Sequence, residues 1–524
     1  MGYSSKSKAM FVINTLSIAV IILFLNLIAA DRSDKLDLTK NKGYTLSAGS
    51  KKIMDKLSDN LVVKVIISKD IPSPHNDRVR YFINLLKEYK NYSSHKLQID
   101  IISSDSSSDL ESTSSLYGIP PLQVNAIEND SLQIKTIYMG TVFLYQDKKE
   151  SIPVIANIGN MEYEISSIIK LMAEGDKKKI AFVKTNYEGA GQPGQPDQFS
   201  TFKKLLGKNY TVEDVKIEKG KLLDKSYEAA ILVSPIKKLE LYERYALEEF
   251  LMSSKGLILA LDSIQGNPQN GVASPVQTGM EDFLEKNSIT ISKDLIYDMS
   301  SSIISVPGNA GGFMFSTSLR YPFFPQIINF NHDHPITQNL DVMNVIYVSP
   351  INVKTADNKT DDKINYTSLV WSSDRTGLQS SPYDVSIERK YTDKDFNNPG
   401  QTIALLVEGV FTTSLQEALE GYEDSFKKGG EGKLVLISDG DFVKDNYISS
   451  GDNAGLIMNA VDYLAADPEL TTLRGKESSF HPIVTNDRRL ENFLKYSSMV
   501  IPLALILICG LFIRWYISNR RINL

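Results

Sequence analysis

Two long apolar runs lie near the two ends of the chain, and the sequence between them is polar enough to be soluble. The first run extends from Ala9 to Ala30 without a charged residue, and the second extends from about Tyr496 to Ile513. A helix needs about 20 apolar residues to cross the ~30 Å hydrocarbon core of a bilayer. The pattern therefore predicts transmembrane helices at residues 9–30 and 496–513.

Basic residues flank the outer end of each run: Lys6, Lys8, Arg514, Arg520 and Arg521. Because basic residues favour the cytoplasmic side, residues 1–8 and 514–524 are expected to be cytoplasmic tails. Two spans with both tails inside leave the large middle part of the chain outside. The expected location is the inner membrane, with the bulk of the chain in the periplasm.

The first run also has the layout of a secretory signal, a short basic start followed by an apolar centre. Its apolar centre is longer than is usual for such a signal, and its end, LIAAD, lacks a clean small-x-small cleavage site. We therefore interpret the run as a retained anchor. Cleavage as a signal peptide is the alternative.

Three residues of the first run, Thr15, Ile22 and Asn26, fall on one stripe of the predicted helix. Polar and small side chains within lipid usually face another helix, where an interhelical hydrogen bond contributes ~0.6–2 kcal/mol. The stripe is therefore predicted to contact a partner in the membrane. The alternative is that single Asn and Thr residues are tolerated near the ends of a span.

Residues 31–175 alternate between strand and helix patterns. Buried-strand runs at 61–68 and 97–103 enclose an amphipathic stretch at 77–92, which predicts a parallel strand pair with a crossover helix. A Pro-Pro break, β-rich runs and a helix at 161–173 follow. This order resembles the thioredoxin-like arrangement. Without a Cys-x-x-Cys motif, it carries no redox chemistry.

Residues 176–480 contain strands such as KKIAFVK, YEAAILVSP, GLILALD and GKLVLISDGDF, several of them separated by helical patterns. This alternation predicts a doubly wound, flavodoxin- or amidotransferase-like α/β domain with an irregular insertion. A division of this part into two domains is the alternative. Residues 481–495 form a juxtamembrane segment.

The composition argues against several classes of function. The formal net charge is -6 and no basic patch stands out, so nucleic acid is a poor partner. The single cysteine, Cys509, lies in the second apolar run, which leaves the middle of the chain without a disulfide or a cysteine nucleophile. A bacterial periplasm or cell surface fits a chain that avoids thiols in this way.

Motifs that would indicate an enzyme are missing. The chain has no G-x-x-x-x-G-K-[ST] phosphate loop, no Gly-x-Ser-x-Gly turn and no His-Glu-x-x-His. His332 and His334 could share a metal if their segment is extended, but a structural loop is the favoured interpretation. Glu162 and Glu164 are interpreted as a solvated or interface face. We predict a non-enzyme with no cofactor and no metal.

Two loops are candidate ligand or partner sites. Asp439, Gly440 and Asp441 directly follow a parallel-type strand, where open α/β sheets hold their ligands. The stretch Asn186 to Glu188, with Tyr187 between, follows the KKIAFVK strand and opens a glycine-rich loop. For the first loop, the alternative is a turn that caps the following segment.

Several short segments together resemble the GldG family, the gliding-motility auxiliary subunit of an ABC transporter. They are YTLS at 44–47 with KKI at 51–53, MEYEI at 161–165, HPIT at 334–337 with NL at 339–340, and SDGDF at 438–442. The resemblance covers nearly the whole chain, including both apolar runs. One departure is TNYEG at 185–189, where related chains tend to carry a Gly-His-Gly-Glu type of turn.

The resemblance implies a non-catalytic, membrane-anchored partner of a separate permease and, through it, of a cytoplasmic ATPase. It also implies a link to gliding motility and to associated protein secretion. The departure at 185–189 leaves binding by that turn open. The alternative function is a periplasmic solute- or glycan-binding receptor.

Overall fold

The computed structural model describes residues 45–465, except 94–95, 105–106, 129–130, 157–160, 185–196, 236, 269, 311–312 and 355–362, together with 470, 473 and 497. The two predicted membrane runs lie outside the described residues apart from Ser497, and the stripe of Thr15, Ile22 and Asn26 lies outside them entirely. Within the described part, no helix is both long and apolar enough to cross a membrane. The chain divides into two compact units, residues 1–479 and residues 480–524.

The N-terminal lobe, residues 45–174, is built on a mixed sheet. Its helices are α1 (Ala48–Asp55), α2 (His75–Tyr92), α3 (Ser107–Tyr117) and α4 (Met161–Glu174). Its strands are β1 (Leu61–Ser68), β2 (Leu97–Ser104), β3 (Leu122–Glu128), β4 (Ser131–Ile137), β5 (Met139–Tyr145) and β6 (Lys148–Ile152). The sheet order is β2–β1–β5–β6, with β1 parallel to β2 and antiparallel to β5. Strands β3 and β4 form a separate hairpin.

The sequence explains this local structure. The side chain of Ser47 caps α1 by accepting a 3.1 Å hydrogen bond from the backbone N–H of Ser50, which satisfies one of the free donors at a helix start. The residues Leu61, Val63 and Val65 of β1 are fully buried in the core of this lobe. Strand β1 lies between two neighbours and under the helices, as its apolar run predicts.

The C-terminal lobe, residues 177–465, is built on a larger sheet. Its helices are α5 (Ser200–Leu206), α6 (Leu241–Leu251), α7 (Glu281–Lys286) and α8 (Asn453–Leu464). The strands before the insertion are β7 (Lys179–Val183), β8 (Thr211–Val215), β9 (Tyr227–Val233) and β10 (Gly256–Ala260).

An insertion between β10 and the last two strands carries many short elements. They are β11 (Ile264–Asn267), β12 (Val272–Pro275), β13 (Ile289–Ile291), β14 (Leu295–Asp298), β15 (Ser301–Ala310), β16 (Phe313–Ile327), β17 (Asn329–Phe330), β18 (Met343–Asn344), β19 (Ile351–Val353), β20 (Ile364–Trp371) and β21 (Thr376–Gln379). The final strands of the lobe are β22 (Thr402–Thr412) and β23 (Gly429–Ile437). Helix α7 also lies in this insertion.

The main sheet has the order β17–β20–β22–β23–β10–β9–β7–β8. Strands β8, β7, β9, β10 and β23 are parallel, and β22, β20 and β17 are added antiparallel, each to its neighbour. The central strands β9 and β10 are buried on both faces, which is why they read as continuous apolar runs. The predicted mixed α/β class is confirmed, and the predicted boundary at 175–176 falls between α4 and β7.

The rest of the insertion packs around an aromatic cluster beside the sheet. Strands β15, β16 and β18 form one small sheet, and the pairs β11–β12, β13–β19 and β14–β21 form others. Tyr297, Tyr321, Phe323 and Tyr347 are buried in the cluster. The insertion therefore has a hydrophobic core of its own. It covers the edge of the main sheet at which β9, β10 and β23 end.

Candidate functional site

The candidate site lies at the carboxyl ends of three adjacent parallel strands. Ser234 follows β9, Asp262 follows β10 and Asp439 follows β23. Neighbouring parallel strands end at the same edge, so these three side chains come together although they are far apart in sequence. Asp441 and Lys444 complete the group, in and just after a short 3₁₀ helix, Asp441–Val443. We call these five residues the strand-end cluster.

Asp439 is fully buried and holds backbone on two sides. Its Oδ1 accepts hydrogen bonds from the N–H of Asp441 at 2.7 Å and of Phe442 at 3.2 Å, so it caps the 3₁₀ helix. Its Oδ2 accepts a 2.7 Å bond from the N–H of Ile346, in the insertion. The contacts of Oδ1 are the ones expected for a turn that caps the following segment. The contact of Oδ2 connects the main sheet to the insertion.

Asp262 holds the other side of the same turn. Its Oδ2 accepts a 2.6 Å hydrogen bond from the hydroxyl of Ser234, and its Oδ1 accepts a 2.7 Å bond from the N–H of Gly440. A Cβ on Gly440 would lie 1.9 Å from Ser234 Oγ, so the turn can approach the neighbouring strand end only with glycine at this position.

Burial and mutual repulsion dominate the electrostatics of the cluster. Burial, with the charge of Asp441 nearby, raises the pKa of Asp262 to about 6. Burial and the carboxylates of Asp262 and Asp441 raise the pKa of Asp439 well above its usual range. Burial alone would lower the pKa of Lys444, but the ammonium bonds Asp441 Oδ1 and faces the other carboxylates, so its pKa is raised.

Asp441 opens onto a cavity of about 540 Å³ between the sheet and the insertion. Its walls include consecutive residues of β15, the segment Asn344–Tyr347 and the ring of Tyr447. A volume of 300–1,000 Å³ is typical of small-ligand sites. Asp262 opens onto a second, smaller cavity of about 290 Å³. Two members of the strand-end cluster thus line two different cavities.

The other predicted loop, with Asn186, Tyr187 and Glu188, lies outside the described residues. The strand before it, β7, is parallel to β9 and ends at the same edge of the sheet as the strand-end cluster. The placement of those three side chains stays a prediction.

The histidine pair does not converge. The Nδ1 of His332 lies 3.1 Å from the carbonyl oxygen of Gln338, while the Nδ1 of His334 accepts a 3.2 Å hydrogen bond from the N–H of Ile336. Each ring thus serves a different backbone group, as expected for a structural loop. Among the described residues, no group of three or more His, Cys, Asp or Glu side chains could hold a metal ion.

A second group of buried polar side chains joins the two lobes through consecutive residues of α4. The carboxylate of Glu162 faces the N-terminal lobe, where Oε1 accepts bonds from the N–H of Ser47 at 2.7 Å and the hydroxyl of Ser50 at 2.6 Å. Tyr163 faces the C-terminal lobe, where its hydroxyl donates to Asp462 Oδ2 at 3.2 Å. Of the two alternatives that the sequence left open for this turn, a solvated or an interface face, the structure shows a buried interface at Glu162 and Tyr163.

The sequence did not predict two of the residues found at these sites: Asp262 in the strand-end cluster and Asp462 at the junction of the lobes. Asp262 ends the run GLILALD just as Asp439 follows KLVLIS, so a shared pattern of a buried strand followed by Asp could have paired them. Nothing in the sequence indicated Asp462, which lies on a helix with an apolar pattern. Its two oxygens accept bonds from Tyr163 and, at 2.7 Å, from Tyr210.

Comparisons with known proteins add the family. The chain is similar to an uncharacterized protein of Borreliella burgdorferi, 21% identical over 485 residues that cover 90% of each chain. Among solved structures, the mmIFT52 N-terminal domain gives a TM-score of 0.32 at 13% identity, covering 55% of this chain and 97% of that one.

Two family models match the chain. A domain of unknown function matches residues 40–144, which lie mostly in the N-terminal lobe. The model described as ABC-type uncharacterized transport system matches residues 177–460, more than half of the chain and nearly all of the C-terminal lobe. The chain therefore belongs to this family of auxiliary components of ABC-type transport systems.

Proposed function

We propose that this protein is a non-catalytic, membrane-anchored, extracytoplasmic subunit of an ABC transporter. The observation that carries the proposal is the family match over residues 177–460, nearly all of the C-terminal lobe. The two apolar runs at 9–30 and 496–513 support anchoring at both ends, with the described lobes on the periplasmic side of the inner membrane.

The partners follow from this arrangement. A chain without a nucleotide-binding phosphate loop needs a separate ATPase, and two helices are too few to form a transport path, so a separate permease supplies it. The stripe of Thr15, Ile22 and Asn26 is the proposed contact with that permease. The short segments shared with the GldG family further connect the complex with gliding motility and associated protein secretion.

The topology of each lobe supports a scaffold built from two familiar folds. The order β2–β1–β5–β6, with one parallel and two antiparallel pairings, is compatible with a thioredoxin-like lobe. The parallel order β8–β7–β9–β10–β23 is compatible with a flavodoxin-like, doubly wound lobe. The carboxylates of the strand-end cluster mainly hold backbone, which favours a non-catalytic role.

Purification from native membrane tests the proposal. The full chain, tagged and extracted in mild detergent, should bring down a multi-span permease and an ATPase. Replacing Thr15 and Asn26 by Leu should reduce their recovery. Ser17→Leu is the matched control, because on the predicted helix Ser17 would lie about 200° around the axis from Thr15 at 100° per residue. Recovery of the chain alone would count against the proposal.

Cysteine labelling tests the topology. With Cys509 replaced by Ser, Lys219→Cys places one thiol on an exposed position of the C-terminal lobe. A membrane-impermeant maleimide should label it once the outer membrane is permeabilised. A thiol at Ser4 should react only after the inner membrane is opened. The reverse pattern would place the lobes in the cytosol.

A periplasmic solute or glycan receptor is the second candidate. The cavity of about 540 Å³ at the strand-end cluster favours it, because ligands of open α/β sheets bind at this edge. A ligand would raise the melting temperature of the full chain, since binding to the native state stabilises it.

A further inference from the structure

The cavity of about 540 Å³ beside Asp441 lies over one face of the small sheet that contains β15, β16 and β18. The even-numbered residues of β15 from 302 to 306 share that face and are partly buried, whereas the two residues between them are exposed. The hydroxyl of Ser302 donates a 2.8 Å hydrogen bond to Asn344 Oδ1, so this face is turned toward the segment 344–347. The cavity therefore lies between a strand face, that segment and the strand-end cluster.

Much of the cavity wall is apolar. The side chains of Val345, Ile346 and Ile387 line it, together with the rings of Phe324 and Tyr347, whose centroids are 5.3 Å apart. Small-ligand sites are commonly built from such a wall with a few polar groups that fix the orientation of the ligand. The wall is therefore suited to an apolar ligand body, in particular one with a flat ring.

The polar groups along this wall are already paired with each other. The hydroxyl of Tyr347 lies 3.1 Å from that of Tyr321. The side-chain amide of Asn344 accepts a bond from Ser302 and donates a 2.9 Å bond to Ser450 Oγ. A ligand with hydroxyls on every side would find few partners here, and a buried polar group without a partner is costly.

Unpaired acceptors lie on one side of the cavity, in the segment 441–450. The Oδ1 of Asp441 accepts a bond from the Lys444 ammonium, but no described residue donates a hydrogen bond to Oδ2. The hydroxyl of Tyr447, which also lines the cavity, has no hydrogen-bond partner in the described part of the chain. The one ammonium of the strand-end cluster faces three carboxylates. The excess charge on this side is therefore negative, which complements a cation.

We propose that this cavity binds a primary amine that carries an apolar body, aromatic or branched aliphatic. The protonated amine donates hydrogen bonds to Asp441 Oδ2 and to the hydroxyl of Tyr447, while the body packs on the apolar wall. An ammonium has three donors and no acceptor, which matches a carboxylate and a hydroxyl. The proposal rests on the receptor candidate, for which it names the class of solute, and it is independent of the transporter assignment.

Calorimetric titration of the full chain in detergent tests the class of ligand. The probes are phenethylamine, phenylbutylamine and isopentylamine, each paired with the alcohol of the same carbon skeleton, and titrations into detergent micelles alone are subtracted. At least one amine should bind saturably with a Kd below about 1 mM. Its alcohol should bind about tenfold more weakly or worse, because it cannot form a charge-assisted hydrogen bond.

Substitutions place the amine and the body separately. Asp441→Asn should abolish the preference for the amine over its alcohol. Asp333→Asn, which alters an exposed carboxylate outside the cavity, should leave that preference unchanged. Val306→Trp should fill the cavity and weaken amine and alcohol alike by about tenfold. Ser318→Trp is its control, because Ser318 is an exposed residue of β16 that does not line the cavity.

The melting temperature of each variant shows whether it is folded, and the paired probes decide on the unaltered chain in any case. Three results would overturn the proposal. The first is no saturable binding of any amine below about 1 mM. The second is equal affinity of the unaltered chain for amine and alcohol. The third is amine binding that survives both Asp441→Asn and Val306→Trp, which would place the amine elsewhere.

Neutral sugars, titrated in the same way, separate this proposal from the receptor candidate on which it rests. Glucose, N-acetylglucosamine and a chito-oligosaccharide serve as probes. A sugar that binds while the amines fail would overturn the amine proposal and leave the receptor candidate standing. Failure of amines and sugars alike would count against both.

Discussion

Tyr163 and Asp462 are 299 positions apart in sequence, and a 3.2 Å hydrogen bond joins them across the junction of the two lobes. Asp462 is fully buried and also accepts a hydrogen bond from Tyr210, so one carboxylate on α8 accepts hydrogen bonds from two tyrosine hydroxyls. Because Glu162, the preceding residue, holds the start of α1, the first turn of α4 is bonded to both lobes at once. The first turn of α4 therefore connects the two lobes through buried polar contacts.

Removal of the Tyr163 hydroxyl should weaken this junction. We expect Tyr163→Phe to lower the free energy of unfolding by about 1 kcal/mol, the usual net contribution of such a bond. Urea unfolding of the full chain in detergent measures the change. Combined with Asp462→Asn, it should show a coupling energy of at least ~0.5 kcal/mol. Tyr383→Phe is the control, because that hydroxyl bonds a carbonyl at an exposed position within the insertion. Strict additivity would contradict a direct link.

Glu162 should act through an acceptor oxygen and not through its charge. Both bonds from α1 end on the same atom, Oε1, and a glutamine also carries an acceptor at that place. Glu162→Gln is therefore expected to change stability by less than about 1 kcal/mol, while Glu162→Ala leaves buried donors without their acceptor and costs about 3 kcal/mol. Thermal and urea unfolding compare the two variants. Equal losses would indicate that the charge itself is needed.

Gly440 should tolerate no side chain. An added Cβ would meet Ser234 Oγ at 1.9 Å and Ala260 O at 2.9 Å. Gly440→Ala should lower the free energy of unfolding by about 1–3 kcal/mol through this overlap. Ser234→Gly removes the closer obstacle and suits the positive φ of 39° at that position, so the double variant should recover part of the loss. No recovery would place the strain elsewhere.

Stability should depend on pH through Asp262. Its pKa is about 6 in the folded protein and near 4 in the unfolded chain, so the folded state binds more protons between these values. Stability therefore falls as pH rises through this window, by about 2–3 kcal/mol for this group, and the loss is complete above pH 6. Carboxylates with lowered pKa values, such as Asp214, act in the opposite sense. The difference between wild type and Asp262→Asn, measured by urea unfolding at several pH values, isolates the contribution. A difference that is flat across the window would refute it.

Replacement of Asp439 should mainly weaken the attachment of the insertion to the main sheet. Its two oxygens accept three backbone bonds, and an asparagine can accept with only one of its two terminal atoms. Asp439→Asn should therefore release either the 3₁₀ helix or Ile346, at about 1–3 kcal/mol. Hydrogen exchange of the 344–347 segment should speed up in this variant. Asp333→Asn, at an exposed site, is the control and should leave exchange unchanged.

The sequence by itself determined the local elements and the α/β class. Burial of apolar side chains imposes a period of two on half-buried strands and of 3.6 on helices, and it makes central parallel strands continuously apolar. The runs of β1, β9, β10 and β23 were readable for this reason. The glycine and the aspartates after β23 also marked a turn at a strand end, since their chemistry is local.

The tertiary structure alone decided which of these residues meet. Asp262 lies 178 positions from the N–H of Gly440 that it accepts, and Asp462 lies 299 positions from Tyr163. No local periodicity encodes such a pair, because the partners are brought together only by strand order and by the packing of one lobe on the other. The insertion was the least readable part, since its short strands pack around an aromatic core whose residues are far apart in sequence. For the same reason, the cavity of about 540 Å³ beside Asp441 is a property of the assembled sheets and not of any single stretch of sequence.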